Sequence, residues 1–421
     1  MKHSENMAQQ PSDRIVDVEF TSLVYGGDAL ARLPDGRVLF VPFALPGEKG
    51  RVRIVEERRG YLRGELISIS NPAPERIEPR CRHFGICGGC YYQHIAYDRQ
   101  LEVKRGILEE QLQRLANIQN PPVERMIPSP NAWNYRNTLQ FHLDRTGHLG
   151  YQRASSHEVV AITECHMPES DLNEIWPKLD TESLPEISRI ILRQGQDDDV
   201  LLILEGHGQS IPVFSTELSL SSVFIGPSDK VILAGDDHLF IKVNGRLFRV
   251  SAGSFFQVNI PVASAMVDYL VKNLPINPNI TVMDLYCGVG LFSAFLASKV
   301  KKCIGIEVAE EACEDFAFNL DEFNNVELYQ GTAGGILPSL SYRPEVIIVD
   351  PPRSGLEPVA INSIIGLRPG SLAYVSCDPA TLSRDAKRLL AAGYKLTKIT
   401  PFDMFPQTYH IESISLFTIN E

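Results

Sequence analysis

The run "TVMDLYCGVGLFSAFLASKV" (281–300) carries an apolar stretch ending at Asp284 and Leu285, a turn with Gly288 and Gly290, and a second apolar stretch of different rhythm. A short buried strand, a glycine turn and a helix satisfy that pattern. A membrane span does not, because the acidic residue and the two glycines sit inside the run. The rhythm recurs downstream. "KCIGIEV" (302–308) leads into "AEEACEDFAFNLDEF" (309–323), while "EVIIVDPP" (345–352) and "LAYVSCDP" (372–379) are apolar strands that end in a polar residue. Such alternation predicts an α/β unit over 251–421 with a doubly wound, mostly parallel sheet. The last run, "HIESISLFTI" (410–419), follows no long helix, so it is expected to pair antiparallel with its neighbour.

Working towards the N-terminus, the text changes character twice. Residues 15–70 are period-two and turn-punctuated, with Gly26-Gly27, Asp35-Gly36 and Pro46-Gly47 separating short Val/Ile/Phe-rich runs. This predicts a small closed barrel of about five strands, assigned to 13–71, and "NPAPER" (71–76) reads as a linker. The segment 72–250 is then a central, mostly β unit. Within it "YDRQLEVKRGILEEQLQRLANI" (97–118) has a helical stripe at Leu101, Val103, Ile107, Leu108, Leu112 and Leu115 and is free to pack on the C-terminal unit.

The whole chain has 421 residues, 44% of them hydrophobic, and a net charge of −12. A protein that coats nucleic acid by charge alone is excluded. Charge is uneven, however: "EKGRVRIVEERRGYLRGE" (48–65) is locally basic and is a candidate phosphate-contacting face, or else a solvated strand surface. Nothing before residue 20 resembles a secretory signal and no run reads as a membrane anchor, so the expected location is cytoplasmic. In a reducing compartment the eight cysteines are expected to be thiols, nucleophiles or metal ligands rather than disulfides.

In open α/β sheets ligands lie beyond the carboxyl ends of the strands. Four such ends stand out. "DLYCGVG" (284–290) lets the backbone approach a ligand, although Ser293 stands where a dinucleotide pattern would have a third Gly or Ala. Glu307 closes the next strand, where an acidic residue receives a ribose hydroxyl pair. Asp350 of "DPPR" (350–353) is fixed by two prolines, and Cys377 closes the fourth strand. Together these resemble the class I methyltransferase fold, whose cofactor is S-adenosylmethionine.

A thiol beside a methyl donor suggests one chemistry. C5 of a pyrimidine is a poor nucleophile, but thiolate addition at C6 gives C5 carbanion character, and the C5 proton must later leave to a base. A helix N-terminus after Pro379 is expected to favour the Cys377 thiolate. Glu412 interrupts the apolar terminal strand, where a carboxylate is costly unless it faces a polar cleft, and is the candidate base; His410 is the other.

Cys81, Cys87 and Cys90, spaced C-x5-C-x2-C, are candidate ligands. Zinc would take a fourth from His83, His94 or Cys165, and an iron–sulfur cluster would need Cys165; spacing alone does not decide. "WNYRNTLQFHL" (133–143) offers aromatic and basic groups for RNA, or ordinary strand residues.

"DLYCGVG", "DPPR", "VSCDPATLSRD" and "HIES", in this order and spacing, resemble the RNA 5-methyluridine methyltransferase family over nearly the whole chain. The resemblance implies an RNA (uracil-C5-)-methyltransferase with Cys377 as nucleophile and Glu412 as proton acceptor. It implies that Gln257, Tyr286, Glu307 and Asp350 bind S-adenosylmethionine, and that Cys81, Cys87, Cys90 and Cys165 hold a structural [4Fe-4S] cluster. Two positions depart from the family: Leu291 replaces a polar residue, and Thr332 stands where an acidic or amide side chain is expected. The barrel resembles the TRAM domain, an RNA-binding module. Relatives with both barrel and cluster imply ribosomal RNA of the large subunit ahead of transfer RNA as partner, and no obligate protein partner is inferred. A small-molecule methyltransferase would have no use for barrel or cluster, and a non-catalytic RNA-binding protein none for Cys377 with Glu412.

Overall fold

The computed structural model describes residues 14–154, 156–181, 184, 186–208, 211–212 and 218–419. Strands β1 (Ile15–Leu23), β2 (Asp28–Arg32), β3 (Val38–Pro42), β4 (Lys49–Arg58) and β5 (Tyr61–Asn71) close into a barrel in the order β1-β2-β3-β5-β4. The period-two pattern explains it: Val52 and Ile54 of β4 point inward and are buried, while their neighbours Arg51 and Arg53 point out. The basic stretch is not a bare cationic face. Across the strands Arg51 meets Asp17, Arg53 meets Glu65 and Lys49 meets Glu19, at 3.8, 3.0 and 3.6 Å, so its charge is largely balanced by the barrel's own carboxylates.

Helix α1 (Tyr97–Ala116) ends on Asn117 in the left-handed conformation and buries Ile107, Leu108 and Leu112. Its Lys104, fully buried, meets Asp403 at 2.6 Å. The chain that follows runs parallel to the edge of the C-terminal sheet, pairing Val123 with Ile399 and Ile127 with Phe402, and covers that edge.

The central sheet has seven strands: β6 (Thr138–Leu143), β7 (Leu149–Gln152), β8 (Val159–Ala161), β9 (Ile187–Gln194), β10 (Val200–Gly206), β11 (Ser221–Ile225) and β12 (Lys230–Ala234). Their order is β12-β11-β10-β9-β6-β7-β8. The short α2 (Ser170–Ile175) packs on it, with Leu172 in a core that includes Phe141, Trp176, Leu192 and Leu202. Of the presumed RNA-facing segment, Tyr135 is buried and donates to the Pro406 carbonyl at 3.1 Å, so it cannot stack on a base. A hairpin, β13 (His238–Val243) and β14 (Arg246–Ser251), shares a core with α3 (Ile260–Asn273) through Ile241, Phe248, Val262 and Met266.

The C-terminal sheet alternates as expected: β15 (Thr281–Leu285), α4 (Leu291–Leu296), β16 (Lys302–Glu307), α5 (Glu310–Asn319), β17 (Val326–Gln330), α6 (Ala333–Ile336), β18 (Val346–Val349), α7 (Pro358–Leu367), β19 (Ser371–Ser376), α8 (Pro379–Ala391), β20 (Lys395–Phe402) and β21 (Glu412–Thr418). The order is β17-β16-β15-β18-β19-β21-β20, with β21 antiparallel to both neighbours. This is the class I methyltransferase architecture. Among the described residues no helix is long and apolar enough to cross a membrane.

Candidate active site

The reversed last strand explains how two distant residues meet. β15, β16, β18 and β19 are parallel and end at one edge of the sheet, whereas β21 runs the other way and begins there. Val375 pairs with Ile414 and Ser376 with Ser413, so one further step of register brings Cys377 opposite Glu412. Asp350 follows the end of β18, next to β19. Asp378 caps α8, its carboxylate accepting from the amides of Ala380 and Thr381 at 2.9 and 2.8 Å, which fixes the turn that carries Cys377.

The field at this edge is acidic. Burial, then Glu412 and Asp350, push the half-buried Cys377 thiol up to about 12, against the pull of Arg353. The helix start after Pro379, which favours a thiolate, is thus opposed by desolvation and two carboxylates. Glu412 is buried and held well above the usual carboxylate range by that burial and by Asp350, with Arg353 opposing. Burial and Asp284 raise Asp350 to about 7. His410 is held down at about 3 by burial and by Arg353, Lys104 and Arg136, which makes it a weak base at neutral pH. Of the two candidates, His410 is held down and Glu412 is held up, so Glu412 is the stronger base once ionised.

Next to this edge lies the glycine turn. Tyr286, Gly288 and Gly290 all have positive φ (63°, 53° and 89°), and a Cβ on Gly288 would meet nothing within 4 Å, so its backbone faces open space. Glu307 ties the turn to β16: its carboxylate accepts from Gly288 at 2.9 Å and from Val308 and Ala309 at 2.7 and 2.8 Å. Ser293, where a third glycine was sought, donates its hydroxyl to Asp284 at 2.7 Å. The other Asp284 oxygen and the Tyr286 hydroxyl are buried without a partner, polar atoms that a bound polar ligand would satisfy. Burial raises Asp284 to about 7 and Tyr286 to about 12. Gln257 lies mostly buried after β14, its carbonyl accepting from Asn137 at 3.4 Å. The two departures have structural occupations: Leu291 is buried at the start of α4, and Thr332 caps α6 by accepting from the Gly335 amide at 3.1 Å.

Five contributors escaped the sequence reading. Arg353, inside the quoted "DPPR", is the cation that opposes the acids. Tyr25, on the Gly-Gly turn of the barrel, places its hydroxyl 3.5 Å from the Cys377 carbonyl, and Tyr409 packs edge-on against its ring at 5.9 Å. Lys104 and Gln100 of α1 pin the 403–407 loop: Lys104 also donates to the Phe405 carbonyl at 2.9 Å, and Gln100 and Gln407 exchange two hydrogen bonds at 3.0 Å. Only "VYGG" as a turn was legible in the sequence; the partners lie some 300 residues away.

Cys81, Cys87, Cys90 and Cys165 line one cavity of about 220 Å³, bounded also by Arg136 and Tyr151. His94 does not line it, and the His83 Nε2 already accepts from the Thr163 amide at 3.0 Å. Among the described residues no His/Cys/Asp/Glu group is drawn together as a ligand set for one metal ion. Burial raises all four thiols, Cys87 to about 11 and Cys90 to about 12, and each thiolate disfavours the next.

The strand-end carboxylates, the open glycine turn and the unsatisfied polar atoms on a class I sheet define a methyltransferase of the S-adenosylmethionine-dependent class. The tRNA (Uracil-5-)-methyltransferase family profile matches residues 218–333 and 335–419, and the TRAM domain profile matches 13–67. An uncharacterized RNA methyltransferase of Halalkalibacterium halodurans is 30% identical, with 99% of each chain covered, and one of Gloeobacter violaceus is 32% identical, with 95% of each covered. The fold matches Pyrococcus abyssi tRNA (uracil-54, C5)-methyltransferase in complex with S-adenosyl-L-homocysteine: TM-score 0.72, 24% identity, 96% of this chain and 100% of that one. The chain belongs to the RNA uracil-5-methyltransferase family, and carries its TRAM domain.

Proposed function

We propose that the enzyme methylates C5 of a uridine in large-subunit ribosomal RNA through a covalent adduct between Cys377 and C6. S-adenosylmethionine supplies the electrophilic methyl group when bound. Gln257, Tyr286, Glu307 and Asp350 hold it at the strand ends, with Glu307 positioned by three amides to receive a ribose. Cys377, once deprotonated, would add its sulfur to C6 and push the ring electrons to an enolate, and C5 would then take the methyl carbon as the sulfonium sulfur leaves with the electron pair of its bond to that carbon, giving S-adenosylhomocysteine. Glu412 then takes the C5 proton, the C5–C6 double bond re-forms and the sulfur leaves with the electron pair of the C6–S bond. Arg353 lowers both Cys377 and Glu412 and so favours their reactive forms. The register that sets Cys377 opposite Glu412 is the observation that carries this reading.

Cys81, Cys87, Cys90 and Cys165 line one cavity, and by the family resemblance they would hold a [4Fe-4S] cluster rather than a single ion. Its role here is structural, because the loop that bears Cys90 also gives the Tyr91 and Tyr92 amides to the Gln407 carbonyl, both at 2.9 Å. Barrel and cysteine set together favour ribosomal over transfer RNA, by resemblance. The division into 13–71, 72–250 and 251–421 and a cytoplasmic location belong to the same proposal.

The test is incubation with 5-fluorouridine-substituted ribosomal and transfer RNA from a deletion strain. With fluorine at C5 no proton leaves, so wild type should form a stable protein–RNA adduct that Cys377→Ala does not. An adduct on transfer RNA alone would refute the ribosomal assignment, and none on either would refute the mechanism.

A further inference from the structure

A second cavity, of about 390 Å³, opens beside the catalytic edge. Its walls come from three parts of the chain: Gly88, Gly89 and Tyr91 of the cysteine loop, Gln152 and Arg153 at the end of β7, and Thr408, Tyr409 and His410 just ahead of Glu412. Tyr409 lines the cavity and connects it through Tyr25 to the Cys377 turn. One side of it meets Tyr25, whose hydroxyl reaches the Cys377 carbonyl; the other meets Tyr91 edge-on at 5.0 Å and His410 at 4.4 Å.

We propose that this cavity is a subsite for one nucleotide flanking the target uridine on the same RNA strand, held unstacked with its base against Tyr409 and its phosphate near Arg153.

The proposal rests on uridine methylation by this enzyme and adds what is read beside the target. The volume falls in the range of about 300–1,000 Å³ for small-ligand sites, so it admits one nucleotide and not a helix. Its aromatic walls offer edges and faces to a base, and stacking is tolerant of base identity. The His410 imidazole has no hydrogen bond to protein among the described residues, its backbone amide alone being engaged with Thr408 at 3.2 Å. A neutral imidazole carries one donor and one acceptor, suited to a base edge. Burial with Arg353, Lys104 and Arg136 holds the His410 imidazole in its neutral form. Among the described residues Arg153 pairs with the exposed Glu158, at 3.0 Å, a contact that a phosphodiester can replace. The floor is backbone: Gly88 donates to the Gln152 carbonyl at 3.0 Å, and a Cβ there would stand 2.6 Å from that oxygen.

The probe is a stem-loop containing the uridine mapped by fluorouridine trapping, with each of its four nearest neighbours made abasic in turn. In wild type one abasic position should lower kcat/KM by roughly 10- to 100-fold, and in Tyr409→Leu the same change should cost nothing further. A 2-aminopurine at that position should be quenched on binding wild type and not Tyr409→Leu, a readout that needs no turnover. Arg153→Gln should weaken binding and reduce the salt slope by about one. Equal rates for every abasic RNA, or losses that simply multiply with Tyr409→Leu, would overturn the subsite while leaving the adduct chemistry intact. Absence of any fluorouridine adduct would instead sink the methylation reading.

Discussion

Replacing Lys104 by Met should be among the most damaging single changes outside the chemistry. Lys104 and Asp403 are both fully buried and their charged atoms are 2.6 Å apart. The second Asp403 oxygen is buried with no partner among the described residues, and the neutral Tyr97 hydroxyl beside the carboxylate does not replace the ammonium's charge. Breaking a buried pair from one side costs about 3–5 kcal/mol, and the lost bond to the Phe405 carbonyl adds about 1 kcal/mol. Lys104→Met/Asp403→Leu should recover most of that loss, because two apolar groups of similar bulk leave no orphaned charge. The chain has several structural units, so pulse proteolysis at graded urea concentrations is preferable to one melting curve. A double variant as unstable as the two singles combined would refute the account.

Glu412→Gln should form adduct on ordinary RNA and release it about 10²–10⁴-fold more slowly than wild type, seen as an accumulating RNA-shifted band; normal turnover would exclude Glu412 as the base. Arg353→Met removes the cation that lowers both Cys377 and Glu412, so adduct formation should slow at pH 7 and partly recover at pH 9, measured by trapping on fluorouridine RNA. Asp284, buried and raised from 3.8 to about 7, binds a proton in the folded state that the unfolded chain has lost. The cofactor-free enzyme should therefore lose on the order of 4 kcal/mol of stability from this group as pH rises from 4 through 7, and Asp284→Asn should flatten that slope. Anaerobically purified protein should carry about four iron and four sulfide per chain, and Cys165→Ala should lose the cluster absorbance; zinc in their place would refute the cluster assignment.

The sequence was most informative where chemistry coincides with a strand end. Asp284, Glu307, Asp350 and Cys377 each close an apolar run, and a polar residue at that place in an open α/β sheet has one crevice to face. Glu412 opens its strand, and only the antiparallel direction expected from the missing helix puts it at the same edge. What stayed hidden was pairwise and distant. The basic residues of β4 look like a phosphate face until cross-strand register gives them Asp17, Glu19 and Glu65 as neighbours. A helix start after Pro379 reads as favouring a thiolate at Cys377, while the opposing carboxylates lie 27 and 35 residues away in the chain.

The loop from Asp403 to His410 shows why these long links bear on catalysis. It turns back from β20 into β21 and so sets where Glu412 begins its strand. It has little regular structure of its own, and its fixed points are borrowed: Lys104 and Gln100 from α1, the Tyr91 and Tyr92 amides from the cysteine loop, and the Tyr135 hydroxyl from the central unit. On the proposed mechanism Glu412 must meet the C5 proton of a ring held on Cys377, a geometry intolerant of small displacements. Elements more than 250 residues upstream thus fix the loop that leads into the proposed base, and a change at the cysteine cavity that shifted Tyr91 should lower the rate of adduct resolution more than the rate of adduct formation. Equal slowing of both steps in Cys90→Ala would show that the upstream units act through RNA binding instead.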